Sequence, residues 1–161
     1  MANRKRNARA LQSLCLIISC IAGSPAWPET VVAEPAVTQS AYDAQMDWQP
    51  CPPFLPHGCA MAVLHGDPSE SNADVLFKVP AQSAIPLHWH NSPERMVLVA
   101  GRLQLTYEGQ RTAVLEPGSY AYGPARRPHT GYCASSVPCV LFIAFEMPMD
   151  ASCSADSSRG H

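Results

Sequence analysis

Short strand-like runs separated by turn residues constrain the fold of this chain more than any other feature. Runs rich in Val, Leu, Phe and Tyr recur about every 8 to 12 residues, a spacing typical of a β-sandwich or barrel. The chain's 16 prolines lie mostly at the boundaries of these runs, where a missing N–H breaks no ladder. After residue 23 no segment has a sustained helical period of apolar residues. The sequence therefore predicts an all-β protein.

The predicted strands cover most of the middle of the chain. They span residues 61–64, 75–79, 96–99, 103–107, 112–115, 120–122 and 140–145. Gly101-Arg102 and Glu108-Gly109-Gln110 separate three of these runs, so residues 96–115 should fold as a small antiparallel meander.

The N-terminus has the features of a secretory signal. Four basic residues among the first nine precede an apolar stretch, residues 11–22, which is too short to span a bilayer. We predict a signal peptide over residues 1–26, with small residues before a second cleavage point at Ala33. Alternatively, Ile17-Ile18-Ser19-Cys20 resembles the lipobox of bacterial lipoproteins, in which Cys20 carries the lipid anchor. Both alternatives predict export to the periplasm, the second as an outer-membrane lipoprotein.

The remaining chain is long enough for one domain. Residues 27–50 are rich in Pro and Ala and predict a linker, residues 51–150 a single barrel, and residues 151–161 a flexible tail. Residues 21–161 hold 7 basic residues (11 less the four in the leader) against 13 acidic ones, a net charge of −6. Because a nucleic-acid partner requires a basic face, this composition excludes that partner class.

Residues 86–94 contain a candidate metal site. In an extended strand, residues two apart face the same side, so His88 and His90 project together while Trp89 points away. The turn residues that follow can bring the Glu94 carboxylate back towards this pair. Imidazole and carboxylate ligands suit Fe(II), Mn(II), Ni(II), Cu(II) or Zn(II) without naming one. Taken singly, each of these residues is more often solvated, and that alternative stays open at this point.

Two motifs around this segment resemble the conserved motifs of the cupin superfamily. The first reads His88-x-His90-x3-Glu94-x6-Gly101, and the second reads Gly118-x5-Pro124-x4-His129. The resemblance covers about residues 75–145 and implies a single antiparallel jelly-roll barrel. It also implies one divalent metal ion per chain, with His129 as the fourth ligand beside His88, His90 and Glu94.

Three positions depart from the motifs. Gln82 and Arg126 stand where the family has glycines, and Cys133 stands where it often has asparagine. None of the three is a metal ligand, so the ligand set is unaffected. An Arg126 guanidinium near the barrel mouth would suit an anionic substrate, although a solvated pair with Arg127 is the alternative.

The chain is also similar to one branch of that superfamily. Residues 65–68, 86–90, 94–99 and 120–124 resemble small single-domain cupins related to the metal-binding domain of ChrR-type anti-sigma factors. Relatives in that branch include iron-dependent dioxygenases that cleave carbon–carbon bonds. We do not expect sigma-factor control, because it requires a cytoplasmic helical domain.

Side chains on the predicted strands suggest a substrate pocket. We predict that it is lined by Tyr107, Tyr122, Arg126 and Phe142, with Tyr120 and Phe145 as further candidates. Core packing is the alternative for each aromatic residue. Glu146 is a candidate to orient a ligand histidine. The three histidines outside both motifs, His57, His65 and His161, are predicted to be solvated.

Five cysteines remain after the leader, and an exported chain meets an oxidising compartment. We predict the disulfides Cys51–Cys59 and Cys133–Cys139, each of which closes a short loop, with Cys153 left over. Their spacing does not match a zinc knuckle, so a thiolate metal cluster is disfavoured.

The leading functional hypothesis is a mononuclear metal-dependent dioxygenase that acts on a small chelating molecule. A non-catalytic metal-binding or sensing module is the second hypothesis, and a metal-dependent isomerase or lyase is the third. The family resemblance also suggests a homodimer.

Overall fold

The structure, a computed structural model, describes residues 34–153 of the chain. It contains eleven β-strands and, over this range, no helix. The strands are β1 (Gln49–Pro50), β2 (Ala60–His65), β3 (Asp74–Val79), β4 (Ala84–Trp89), β5 (Glu94–Ala100), β6 (Leu103–Tyr107), β7 (Ala113–Leu115), β8 (Tyr120–Gly123), β9 (His129–Cys133), β10 (Cys139–Phe145) and β11 (Ser152–Cys153). Between residues 34 and 153 there is consequently no helix of the length and apolarity needed to cross a membrane.

The strands form two sheets in which every pairing is antiparallel. One sheet has six strands in the order β1-β2-β3-β10-β5-β8, and the other has five in the order β11-β4-β9-β6-β7. Consecutive strands often lie in different sheets, and the meander predicted over residues 96–115 is accordingly divided between both sheets. The predicted all-β antiparallel class is confirmed.

The main core lies between the two sheets. Along β10, Leu141, Ile143 and Phe145 belong to it, while Val140 and Phe142 point to the opposite face, as the two-residue repeat of a strand requires. Each buried apolar side chain of this size stabilises the fold by about 1.5–3 kcal/mol.

The outer face of the six-stranded sheet is covered by residues that the sequence assigns to a linker. Met46 is buried there together with Leu76 and Val140, and Trp48 packs beside them. The Lys78 ammonium lies over the Trp48 ring, 3.8 Å from the ring centroid. The segment before residue 50 thus packs against the barrel, because the outer face of β10 offers it apolar surface.

Strands β4 and β9 are absent from the seven predicted strands, and both carry histidines of the candidate site. In β4, Pro86 interrupts the strand signal, and the register between β4 and β9 shifts between Ile85 and His88. Such an irregularity accommodates a proline in a strand. In β9, polar and small residues flank His129 and mask its strand character.

Two pairs of cysteines lie at disulfide distance, as predicted. The Cα atoms are 5.5 Å apart for Cys51–Cys59 and 5.7 Å apart for Cys133–Cys139. Cys153 is an exposed free cysteine. It lies in β11, which pairs with β4, so the first residues of the predicted tail are part of a sheet.

Candidate metal centre

Four polar side chains meet at one end of the space between the sheets. His88 is the last residue of β4 that faces inward. It lies opposite His129, the first residue of β9. Glu94 is the first residue of β5 and lies opposite Phe145. Less than a tenth of the surface of His88, Glu94 and His129 is exposed, and His90 leaves 11% of its side chain exposed. The two sheets therefore converge on one buried polar cluster.

Backbone carbonyls fix the orientation of all three imidazoles. The Nδ1 atom of His88 lies 2.8 Å from the Pro86 carbonyl oxygen, and that of His129 lies 3.1 Å from the Arg127 carbonyl. The Nδ1 atom of His90 bonds the carbonyl of Asp150. Because a carbonyl only accepts, each Nδ1 carries the proton and each Nε2 keeps a free lone pair. This is the arrangement that orients imidazoles at metal sites.

The free nitrogen atoms of His90 and His129 lie near the carboxylate of Glu94. Its Oε2 atom lies 3.6 Å from His90 Nε2, and its Oε1 atom lies 3.4 Å from His129 Nε2. One ligand atom from each of the three histidines lies within 4.8 Å of the others. Three imidazoles that meet in this way, with the Glu94 carboxylate beside two of them, suit a single divalent ion.

Burial sets the charge of these groups. The pKa of His88 is lowered to about 4, mainly by desolvation. The hydrogen bond to the Pro86 carbonyl opposes this shift, and the charge of His90 adds to the shift. Desolvation, followed by the charge of His88, lowers the pKa of His129 to about 3. Both imidazoles are therefore neutral near pH 7, which is the form that binds a metal.

Burial acts in the opposite direction on the Glu94 carboxyl. Burial raises its pKa above the usual range, against the opposing influence of His90 and of the nearby Tyr107 hydroxyl. Its Oε1 atom, like the Tyr107 hydroxyl beside it, is buried without a hydrogen-bond partner among residues 34–153. A buried carboxylate oxygen without a partner is costly, and a cation would satisfy it. The residues present thus fit one divalent metal ion.

The donor set limits which ions suit the centre. Three imidazole nitrogens and one carboxylate are borderline ligands that accept Fe(II), Mn(II), Ni(II) or Zn(II). The ligands therefore define the site, although they do not select one of these metals.

A cavity of about 160 Å³ leads to the four ligands. Its other walls are almost wholly apolar and include Leu55, Phe77, Met96, Leu105, Ile143 and Phe145. Among residues 34–153, the acidic side chains that line it are those of Glu94 and Asp150, and no Lys or Arg lines it. The cavity therefore offers apolar contact to any molecule that reaches the ligands.

Among the predicted pocket residues Phe145 lines this cavity, whereas Tyr107, Tyr120, Tyr122, Arg126 and Phe142 do not. Phe142 lies on the outer face of β10, and Tyr122 is 51% exposed on β8. Arg126 is exposed and its Nε donates to Asn91 Oδ1 at 3.2 Å. Tyr107 is buried behind the site, with its ring centroid 5.1 Å from that of His129. The strand repeat explains the positions of Phe142 and Tyr122, because they are out of phase with the inward-facing residues of their strands.

The position of Glu94 in β5 could have identified part of the cavity lining from the sequence. Residues two positions along β5 from Glu94 face the same side, and Met96 indeed lines the cavity. Glu146, predicted to orient a histidine, is exposed and pairs with Arg95 at 3.0 Å instead. The carbonyl of Asp150 provides that support for His90, and no motif in the sequence indicates it.

The positions where the cupin motifs have glycines share one backbone conformation. Gly101 and Gly118 have φ angles of 84° and 88°. Gln82 and Arg126, which replace glycines, also have positive φ angles of 54° and 59°. The left-handed conformation is thus kept where the side chain disfavours it, at about 1–2 kcal/mol per residue.

Comparison with known proteins agrees with this architecture. The profile of a family described as ChrR Cupin-like domain matches residues 37–147. No curated protein is detectably similar in sequence.

Solved structures share the fold at low identity. The DMSP lyase DddQ from Ruegeria pomeroyi DSS-3 has a TM-score of 0.59 and 21% identity, over 76% of this chain and 73% of that one. The polyketide cyclase RemF from Streptomyces resistomycificus has a TM-score of 0.59 and 16% identity, over 76% and 89%. An RmlC-like cupin from Shewanella frigidimarina NCIMB 400 has a TM-score of 0.55 and 16% identity, over 70% and 93%. These likenesses confirm the predicted jelly roll, and at such identities they show the fold alone.

Proposed function

The chain belongs to the ChrR cupin-like family, and from this premise we propose that it is a metal-dependent enzyme acting on a small molecule. We further propose that the reaction is a dioxygenation and that the native ion is Fe(II). The substrate would carry two adjacent oxygens, as in an enolised diketone or a hydroxyketone.

The observation that carries this proposal is the chemistry of the cavity wall. Besides the four ligands, Asp150 is the only titratable residue among those that line the cavity in residues 34–153. Its carboxylate accepts two hydrogen bonds from Asn91. An isomerase or a lyase requires a positioned acid or base to move a proton. An apolar cavity without one favours chemistry supplied by the ion itself.

The residues of this chain would bind the ion, orient its ligands and shield the substrate from water. His88, His90, Glu94 and His129 would hold the ion, and the carbonyl contacts would fix the imidazoles. The apolar walls would exclude water from the substrate. A bound Fe(II) supplies the redox chemistry with O2.

Oxygen uptake tests the proposal. The metal-free protein would be loaded separately with Fe(II), Mn(II), Ni(II) and Zn(II) and assayed over a panel of chelating diketones and hydroxyketones. We expect uptake above that of a His90→Ala control with Fe(II). If no metal form exceeds this control, the oxygenase proposal fails and a binding or sensing module replaces it.

We also propose that the protein is exported. The supporting features are the basic and apolar regions of residues 1–26, which lie outside the described residues together with Cys20. Mass spectrometry of the mature protein separates the two alternatives. A lipidated N-terminal Cys20 indicates a lipoprotein, an unmodified N-terminus after Ala26 or Ala33 indicates a soluble periplasmic protein, and an intact leader contradicts export.

A homodimer is a further proposal, supported by the edge strand β8. Tyr120 and Tyr122 are exposed on this strand, 61% and 51%, and would form part of the contact. Sedimentation analysis at several protein concentrations tests it, and a monomer at every concentration would contradict it.

A further inference from the structure

The charge and polarity of the cavity restrict the ligand more sharply than the metal ligands do. A divalent ion beside the Glu94 carboxylate leaves one net positive charge at the centre. Every other charged side chain on the wall described here is acidic, since Asp150 lines the mouth and no Lys or Arg does. A chelator with one negative charge therefore neutralises the centre completely.

A second negative charge would remain without a partner. Burying an ionised carboxylate among apolar side chains is strongly unfavourable unless a cation or several hydrogen-bond donors face it. The walls around Phe77, Leu105 and Ile143 offer neither. The positive side chain suggested by the sequence, Arg126, is exposed and bonds Asn91.

We propose that the cavity selects oxygen chelators that carry at most one negative charge and an apolar body, and that it rejects dianionic chelators. This inference deepens the proposed function and rests on its metal site. It does not depend on turnover, since it concerns which molecules bind.

A matched pair of ligands tests this selectivity. The two are 1-phenylbutane-1,3-dione and 4-(3-oxobutanoyl)benzoate, which differ by one carboxylate on the phenyl ring, too far from the two ketone oxygens to bind the same ion. Their affinities for the Ni(II)-loaded protein would be measured by titration and divided by their affinities for aqueous Ni(II). We expect the normalised affinity of the dione to exceed that of the acid by at least about 10-fold, as the unpaired carboxylate requires.

A lysine at the mouth should reverse this preference. Leu55 is half-buried and lines the cavity, so Leu55→Lys places a cation near the bound carboxylate. We expect it to improve the relative affinity for the acid about 10-fold or more. Val114→Lys, on the outer face of β7, is the matched control and should leave it unchanged. Ala151→Lys, at another residue that lines the cavity, provides a second variant if Leu55→Lys does not fold.

Equal normalised affinities of the two ligands in the wild-type protein would overturn the inference. The inference would also be overturned if neither Leu55→Lys nor Ala151→Lys changed the ratio of the two affinities. Both results are obtained with Ni(II) and without O2 uptake. Failure of the oxygenase proposal therefore leaves this inference standing, and the reverse also holds.

An independent observation concerns the C-terminal strap, residues 147–153, which runs past the loop after β4. The Ser92 hydroxyl, almost fully buried in that loop, accepts hydrogen bonds from the backbone N–H of Glu146 and Met147, each at 3.0 Å. At its other end the strap forms β11 and pairs Cys153 with His88. The strap is thus held on both sides of the metal ligand His90.

Asp150 makes the central contacts of this strap. Its carboxylate accepts from the Asn91 backbone N–H at 2.9 Å and from the Asn91 side-chain amide at 2.6 Å. Its own carbonyl bonds His90 Nδ1. Asp150 therefore binds the loop at Asn91 through its side chain and orients the ligand His90 through its backbone carbonyl.

We infer that Asp150 is a positioning residue for His90, and that its carboxylate keeps the strap carbonyl aimed at the imidazole. Loss of a group that orients a ligand histidine typically weakens metal binding about 10- to 100-fold. We expect Asp150→Ala to raise the Zn(II) dissociation constant about 10-fold and to shift the visible bands of the Co(II)-loaded protein.

A double-mutant cycle distinguishes positioning from general stabilisation. In a His90→Ala background, Asp150→Ala should have little further effect on Co(II) affinity, because the ligand that it orients is gone. Asp43→Ala, which removes a carboxylate bonded to the Gln45 N–H in an exposed turn, is the control. Equal losses of affinity with and without His90, or an unchanged Co(II) spectrum, would overturn the inference.

Discussion

Replacement of Gly123 by alanine should remove Glu94 from the metal without replacing any ligand. Gly123 lies opposite Glu94 in the β5–β8 pairing. A Cβ atom at this position would stand 2.6 Å from Glu94 Oε1, 2.7 Å from Glu94 Cγ and 2.6 Å from the Tyr107 hydroxyl. Folded proteins essentially never show contacts of a Cβ below 3.0 Å, so the carboxylate must move by at least about 0.4 Å.

The size of that movement determines the expected effect. Metal–ligand distances tolerate deviations of about 0.2 Å, so Glu94 cannot stay bound at its original position. We expect the metal dissociation constant to rise about 10- to 100-fold, which corresponds to about 1.4–2.7 kcal/mol. Overpacking should also lower the free energy of unfolding of the metal-free protein by about 1–3 kcal/mol.

Gly131→Ala is the matched control, because Gly131 is also a glycine within a buried strand. Its Cβ would stand 2.8 Å from Ile85 Cδ1, the far end of a flexible side chain. We expect a comparable loss of stability with metal affinity within about 3-fold of wild type. Competition with a chelator measures affinity, and urea unfolding measures stability. Wild-type metal affinity in Gly123→Ala, or an equal loss in Gly131→Ala, would refute the reasoning.

Four further outcomes follow from the structure. His88→Ala should abolish stoichiometric Zn(II) by elemental analysis, whereas one ion per chain retained would exclude it as a ligand. In the metal-free folded protein the pKa of His129 is lowered to about 3, whereas in the unfolded chain it is 6.5. The unfolded state therefore binds the proton first, and the free energy of unfolding decreases as the pH falls below 6.5. Urea unfolding at pH 6 and pH 5 should show a decrease that is smaller in His129→Gln by up to about 1.4 kcal/mol, and equal decreases would contradict this. Gln82→Gly should raise the free energy of unfolding by up to about 1 kcal/mol, because it removes a positive-φ side chain, and a loss would argue against that strain. Non-reducing peptide mapping should recover Cys133 linked to Cys139, and a link to Cys153 would disprove the pairing.

The sequence was most informative wherever chemistry depends on local spacing. His88 and His90 face one side because they are two residues apart in an extended segment, and the turn before Glu94 returns the chain to them. These relations lie within one strand or one turn, and no distant residue can alter them. Gln82 and Arg126 stand where the motifs have glycines and have a left-handed backbone, a conformation that these departures from the motif did not predict.

The face that each apolar strand turns inward was decided only by tertiary structure. Residues 139–145 are apolar throughout, so the strand repeat leaves both phases equally plausible. The observed phase puts Ile143 and Phe145 in the cavity and Phe142 on the outer face, where the segment around Met46 covers it. Since both faces of this strand are buried, hydrophobicity alone could not distinguish them.

Asp150 shows the same limit for polar contacts. It lies 60 residues from His90 in the chain, and no motif connects the two. The contact exists because β11 pairs with β4 and brings the strap beside the metal ligands. Spacing along the chain thus determined which groups can bind a metal, while the packing of distant segments determined which residues orient those groups and line the cavity. The physical reason is that a strand's repeat defines its two faces, and only the neighbouring strands and segments define what each face meets.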